Sequence, residues 1–324
     1  MINRLLPWQD SIWQQVMLQR KELPHALLFA GVVGIGKQQF ADSLAAALLC
    51  DQPNSEKKAC GQCKQCLLVQ SGNHSDLLLV EPVEAMKAIT IDAIREVVSF
   101  AQLTAQLAKH RVVIIREAHS MQAAAANALL KTLEEPASGV YLLLLTAYPL
   151  QLLPTIRSRC QRIDLPLPEK TVALAWLAQQ NLPTLDYDLL LTIARGAPLS
   201  AVNLSQPEMW QSRDIVLKAL LDSQQQLSVL SKALSNVAIL TVLQLWFSVV
   251  NDLSKLTLDH ALPVDFLIHK DYADSLRDKA TRVSAQALQQ FLEKLQQAFA
   301  IFQRKIALNQ QLLIENLLVQ WWDL

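Results

Sequence analysis

The run Gly31-Val32-Val33-Gly34-Ile35-Gly36-Lys37-Gln38 carries the residue types that hold phosphate. It follows an apolar stretch and opens a helical one, the setting in which a P-loop works. Glycines let backbone N–H groups turn inward around an anion, and a helix N-terminus adds partial positive charge. Lys37 can reach β- and γ-phosphates. The whole chain has only 7 glycines, so Gly31, Gly34 and Gly36 in one loop are not background composition. The position after the lysine calls for Ser or Thr, whose hydroxyl ligates Mg²⁺. Here it is Gln38, followed by Gln39. A second metal station is altered too. Arg111–Ile115 reads as a Walker B strand, yet Arg116 stands where its closing Asp should be. A cation there repels a metal. Glu117 holds the place of a water-polarising carboxylate, but without a metal it reads as a surface acid. Two losses at one site argue against hydrolysis. Nucleotide binding without turnover and an empty loop both stay open.

Four cysteines form a second constellation. Cys50, Cys60, Cys63 and Cys66 follow the pattern C-x9-C-x2-C-x2-C. Two successive C-x2-C steps suit a tetrahedral zinc site of four thiolates, with Gly61 and Gln62 in the tight turn. Such a site is closed, so its role is structural. An iron–sulfur cluster uses the same ligands, and disulfides are the other alternative. Cys160 lies apart. A zinc-knuckle nucleic-acid binder is a further reading, since Lys57, Lys58 and Lys64 flank the cysteines. No aromatic residue is there to stack on bases.

These groups need a scaffold. Continuous apolar runs predict strands at Ala26–Ala30, Asp76–Val80, Arg111–Arg116, Val140–Thr146 and Gln161–Leu165. Helical stretches at Lys37–Leu49, Ile91–Leu103 and Ala123–Glu134 lie between them. That is the βαβ rhythm of an α/β domain with a parallel sheet buried on both faces. Beyond Pro166 and Pro168 the strand signal stops. Val172–Gln180, Tyr187–Ala194 and Ser200–Leu204 read as a three-helix unit with Pro183, Gly196 and Pro198 in its turns. After Pro207 the chain reads as long helices. Leu288, Phe291, Leu292, Leu295 and Phe299 make one apolar stripe, expected to be core packing, although an oligomerisation face would look the same. The predicted domains are 1–166 (α/β, with the cysteine knuckle at 50–66), 167–206 (lid) and 207–324 (all-α).

The 324 residues are 52% hydrophobic and 18% charged, with 29 Lys plus Arg against 29 Asp plus Glu. A balanced chain is no strong electrostatic binder of nucleic acid by itself. Mean hydropathy is +0.20. The longest apolar runs, Ala26–Ile35 and Val140–Ala147, fall far short of the roughly 20 residues of a membrane span. The first ten residues lack a secretory pattern, so a cytoplasmic location is expected.

Two further segments are specific. One is Ala126-Asn127-Ala128-Leu129-Leu130-Lys131-Thr132-Leu133-Glu134-Glu135-Pro136. The other is Leu153-Pro154-Thr155-Ile156-Arg157 followed by Ser158-Arg159-Cys160. With the P-loop and the knuckle, they resemble bacterial clamp-loader subunits of the AAA+ class, the delta-prime kind most closely. The resemblance implies an AAA+ P-loop domain, a helical lid and a helical collar. It implies that Arg159 is an arginine finger, offered in trans to ATP held by a neighbouring subunit. Gly196-Ala197-Pro198-Leu199-Ser200-Ala201 resembles the segment where motor subunits carry a sensor Arg, with Leu199 at that position. The implied role is a non-hydrolysing subunit of a replicative polymerase holoenzyme, without ATPase or polymerase activity of its own. Implied cofactors are structural zinc and, less firmly, ATP or ADP. Implied partners are tau/gamma-like motor subunits and a delta-like subunit. The sliding clamp and primer-template DNA would be met through the complex. An active tau/gamma-like ATPase is the competing reading, against which Gln38 and Arg116 stand.

Overall fold

The computed structural model describes residues 5–83, 88–182, 186–221, 227–303 and 309–324. They form two compact units. One is Met1–Trp176 with Ala197–Ser200, and the other is Leu177–Gly196 with Ala201–Leu324.

The first unit is built on a parallel five-stranded sheet. Its strands are β1 (Ala26–Ala30), β2 (Leu77–Val80), β3 (Arg111–Ile115), β4 (Val140–Thr146) and β5 (Gln161–Asp164), in the order β2-β3-β4-β1-β5. Leu28 pairs with Leu144 on one side and Arg162 on the other. Successive side chains point to opposite faces. Leu27 and Phe29 therefore join one apolar cluster and Leu28 another. Both faces are covered, so β1, β3 and β4 are apolar without alternation. The edge strand β5 is largely exposed and correspondingly polar.

The helices of this unit are α1 (Asp10–Leu18), α2 (Lys37–Leu49), α3 (Lys64–Ser71), α4 (Ile91–Gln102), α5 (Ala123–Glu134) and α6 (Pro154–Arg157). The expected elements are all present, with ends shifted by a residue. Asp76, for example, precedes β2, and its buried carboxylate accepts from the amides of Gln106, Leu107 and Ala108. The sequence reading missed α1 and α3. The first buries Ile12, Trp13, Val16 and Met17, and the second is a short helix of about two turns that is capped by Cys63 and carries Cys66.

Nine α-helices follow among the described residues: α7 (Lys170–Leu177), nearly all of it still in the first unit, then α8 (Tyr187–Ile193), α9 (Pro198–Leu204), α10 (Pro207–Leu221), α11 (Leu227–Ser235), α12 (Ile239–Leu258), α13 (Ala273–Ala280), α14 (Ala285–Gln303) and α15 (Gln310–Trp322). Pro183 lies outside the described residues. The second unit has its own core. Trp246, Phe291 and Trp321 meet with ring centroids 5.0–5.8 Å apart. Leu288, Phe291 and Leu295 of the apolar stripe are buried there, so the stripe packs as core. Arg213 is buried beside it, held by Asp271 at 2.7 and 2.8 Å. Its Nη2 also donates to His269 Nδ1 at 3.0 Å, which leaves His269 Nε2 to donate to Ser248 Oγ at 2.8 Å. Burial, then the Arg213 charge, draws the His269 pKa down to about 3 and keeps the ring neutral. Among the described residues no single helix is long and apolar enough to cross a membrane.

Candidate functional site

The loop Gly31–Gly36 joins β1 to α2. Gly34 and Gly36 have φ of +78° and +95°, which L side chains rarely adopt. A Cβ on Gly36 would also meet Leu6 Cδ1 at 2.4 Å and Gln9 Nε2 at 2.6 Å. Every carbonyl of the loop has a donor from this chain. Lys37 Nζ donates to Gly31 O and Val32 O, each at 2.8 Å. Ser200 Oγ donates to Val33 O at 3.2 Å, and Leu199 N to Gly34 O at 3.1 Å. Trp8 Nε1 reaches Ile35 O at 3.0 Å, and Gln9 Nε2 reaches Gly36 O at 2.8 Å. With the carbonyls turned into protein donors, the loop shape is fixed by the chain itself. A phosphate would have to win Lys37 from two carbonyls. Burial draws the Lys37 pKa to about 8, against the opposing pull of Glu117.

The two altered metal stations meet. With its amide oxygen toward the guanidinium, Gln38 accepts from Arg116 Nη2 at 2.6 Å and Nη1 at 3.2 Å. Arg116 also pairs with Glu81 at 2.9 Å and with buried Asp42 at 3.5 Å. The guanidinium thus sits among oxygens, as a cation should, and Gln38 supplies one of them. Glu117 follows it, exposed, at a φ of +48°.

The cysteines gather where α2 ends and α3 begins. Cys50 caps α2, Cys63 caps α3, and its sulfur accepts from Cys66 N. Gly61 turns the knuckle with a φ of +80°. All four sulfurs lie within 4.8 Å of one another. The Cys50–Cys63 and Cys60–Cys66 Sγ separations are 3.9 and 3.8 Å. Four sulfurs placed tetrahedrally about 2.3 Å from one ion stand about 3.8 Å apart. The cluster therefore fits a single metal ion. Amides of Gln62 and Cys63, aimed at the Cys60 sulfur, draw its pKa down to about 6, whereas burial pushes Cys66 up. Of the neighbouring lysines, Lys57 donates to Met17 O, and Lys58 pairs with Glu56 and Asp10. Both are committed to the knuckle's own packing. Cys160 is buried elsewhere, among the residues under α5 and α6.

Arg159 stands just after α6 and before β5. Leu129 and Leu133 bury the inner face of α5, and the far end of that helix presents Glu134 to the Arg159 side chain. Sequence reasoning found Arg159 but not this partner. It also missed Trp8 and Gln9 as props of the P-loop, since nothing in their spacing links them to residues 35 and 36.

The family described as DNA polymerase III, delta subunit, matches residues 9–169. Its C-terminal counterpart matches residues 207–323. A DNA polymerase III subunit delta' from Pseudomonas aeruginosa is 38% identical over 330 residues, covering 99% of this chain and 98% of that protein. The chain belongs to the DNA polymerase III delta-prime family. The Escherichia coli delta-prime subunit is 36% identical over 222 residues, 67% of this chain and 66% of that protein. A Haemophilus influenzae subunit tau/gamma is 34% identical over 184 residues, 56% of this chain and 26% of its own length. Membership in the delta-prime family makes the chain a clamp-loader component, built as a parallel α/β domain followed by a helical C-terminal region.

Proposed function

We propose that this chain is a non-hydrolysing clamp-loader subunit that assembles the loader and completes a neighbour's ATP site through Arg159. One observation carries the reading. Gln38 and Arg116 are bonded to each other at the two metal stations, while Arg159 of the Ser-Arg-Cys motif stays one-third exposed. A transferring phosphoryl group gathers negative charge, which a planar guanidinium offsets with parallel hydrogen bonds. Gly31, Gly34, Gly36 and Lys37 would be the residues that hold ATP or ADP, bound there without turnover. Cys50, Cys60, Cys63 and Cys66 would hold zinc, which would brace the knuckle and take no part in chemistry. On this reading residues 167–206 are the lid and 207–324 the collar that meets tau/gamma-like and delta-like subunits in the cytoplasm. The clamp and primer-template DNA are reached through the complex.

The test is a loader reconstituted with Arg159→Ala. Zinc content and assembly should be unchanged, and DNA- and clamp-stimulated ATP hydrolysis should fall. At the one affected site, loss of such an arginine costs roughly 10³–10⁵ in rate. Arg157→Ala is the neighbouring control. Equal activity of Arg159→Ala and unmodified loaders, at matched assembly, would refute the role.

A further inference from the structure

The carboxylate opposite Arg159 is out of place by helix energetics. Glu134 is the last residue of α5, where the helix dipole favours cations. It is exposed, so burial does not require it. Its single Oε1 nevertheless takes two donors from Arg159, Nε at 2.7 Å and Nη2 closer still. Nη1 donates to Thr155 O at 3.0 Å, with Ser158 Oγ at 3.5 Å. A guanidinium is flat and rigid, so two contacts on one edge and one on Nη1 fix its plane. The second N–H of Nη2 points away from the edge that Glu134 holds. No partner for it lies among the described residues.

We propose that Glu134 is the positioning residue for Arg159, holding the guanidinium side-on so that its outer N–H groups face an incoming phosphate. The proposal rests on the arginine-finger reading. Glu134 touches no phosphate itself and works only through Arg159. An unheld arginine spreads over many rotamers, and the orientation must then be found during each turnover.

The experiment uses reconstituted loaders carrying Glu134→Ala, Glu134→Lys, Glu134→Gln or Glu135→Ala, each with and without Arg159→Ala. At the one site that Arg159 completes, Glu134→Ala should lower stimulated kcat by roughly tenfold, short of the roughly 10²-fold that misplacement can cost. KM for ATP should stay unchanged, and Glu134→Lys should lose at least as much. Glu134→Gln should recover most of the activity, because one oxygen accepts both donors. Glu135→Ala should match the unmodified loader. In the Arg159→Ala background, Glu134→Ala should have no further effect. A loss there as large as in the unmodified background would show that Glu134 acts on the fold and overturn the proposal. Unchanged kcat in Glu134→Ala, beside a clear loss in Arg159→Ala, would overturn the positioning role alone. No loss in Arg159→Ala would overturn the finger reading and this proposal with it.

Discussion

Gln38 and Arg116 stand where two Mg²⁺ ligands would be expected. Side by side they are a complementary pair. The guanidinium binds the oxygens of Gln38, Glu81 and Asp42, so positive charge remains at that place without a metal. Glu81 is half exposed and contributes little. Asp42 is buried and depends more on its cation. Arg116→Ala should therefore destabilise the first unit by about 1–3 kcal/mol. It should still give no ATP turnover, because Gln38 offers no hydroxyl for Mg²⁺. Denaturant melting followed by a coupled ATPase assay checks both. An unchanged midpoint would mean that the ion pair is only a surface contact.

At the scale of elements, the knuckle ties three helices together. Cys50 closes α2, Cys63 opens α3, and Trp13 of α1 donates to Glu56 O at 3.2 Å. Metal binding energy at such a site is also folding energy. Cys63→Ser removes a ligand and exchanges the sulfur that caps α3. It should weaken metal binding by more than the roughly 10–100-fold that loss of an outer-shell partner costs. Elemental analysis after dialysis against a chelator reads the outcome directly. The remaining thiols should become reactive. Full retention of one zinc per chain would remove Cys63 from the ligand set.

Across the whole molecule, the two units have separate apolar cores. The clusters on the two faces of the sheet draw on residues up to Leu165, and the helical cluster on Val216–Trp321. Deleting residues 207–324 should thus leave a metal-binding α/β part that still melts cooperatively. That part should no longer enter the loader, if those helices form the collar. Co-elution with the other subunits on size exclusion measures this. Full-strength assembly by the truncated chain would place the collar elsewhere.

The sequence by itself determined the sheet, because strands covered on both faces must be apolar throughout, as in Val112–Ile115 and Leu142–Leu145. It also determined the loop and the cysteine set. Glycines at +78° and +95° and thiolates at fixed short spacing are local requirements, visible wherever the chain folds on itself nearby. Helices α1 and α3 were harder to see, since α1 is nine residues long and α3 eight. Only the tertiary structure decided which residues answer one another across long separations. Gln38 meets Arg116, Trp8 meets Ile35, and Glu134 meets Arg159 over 25 positions. The physical reason is that a hydrogen bond between distant side chains leaves no periodicity behind. It depends on strand order and helix packing, which bring the two groups within about 3 Å of each other.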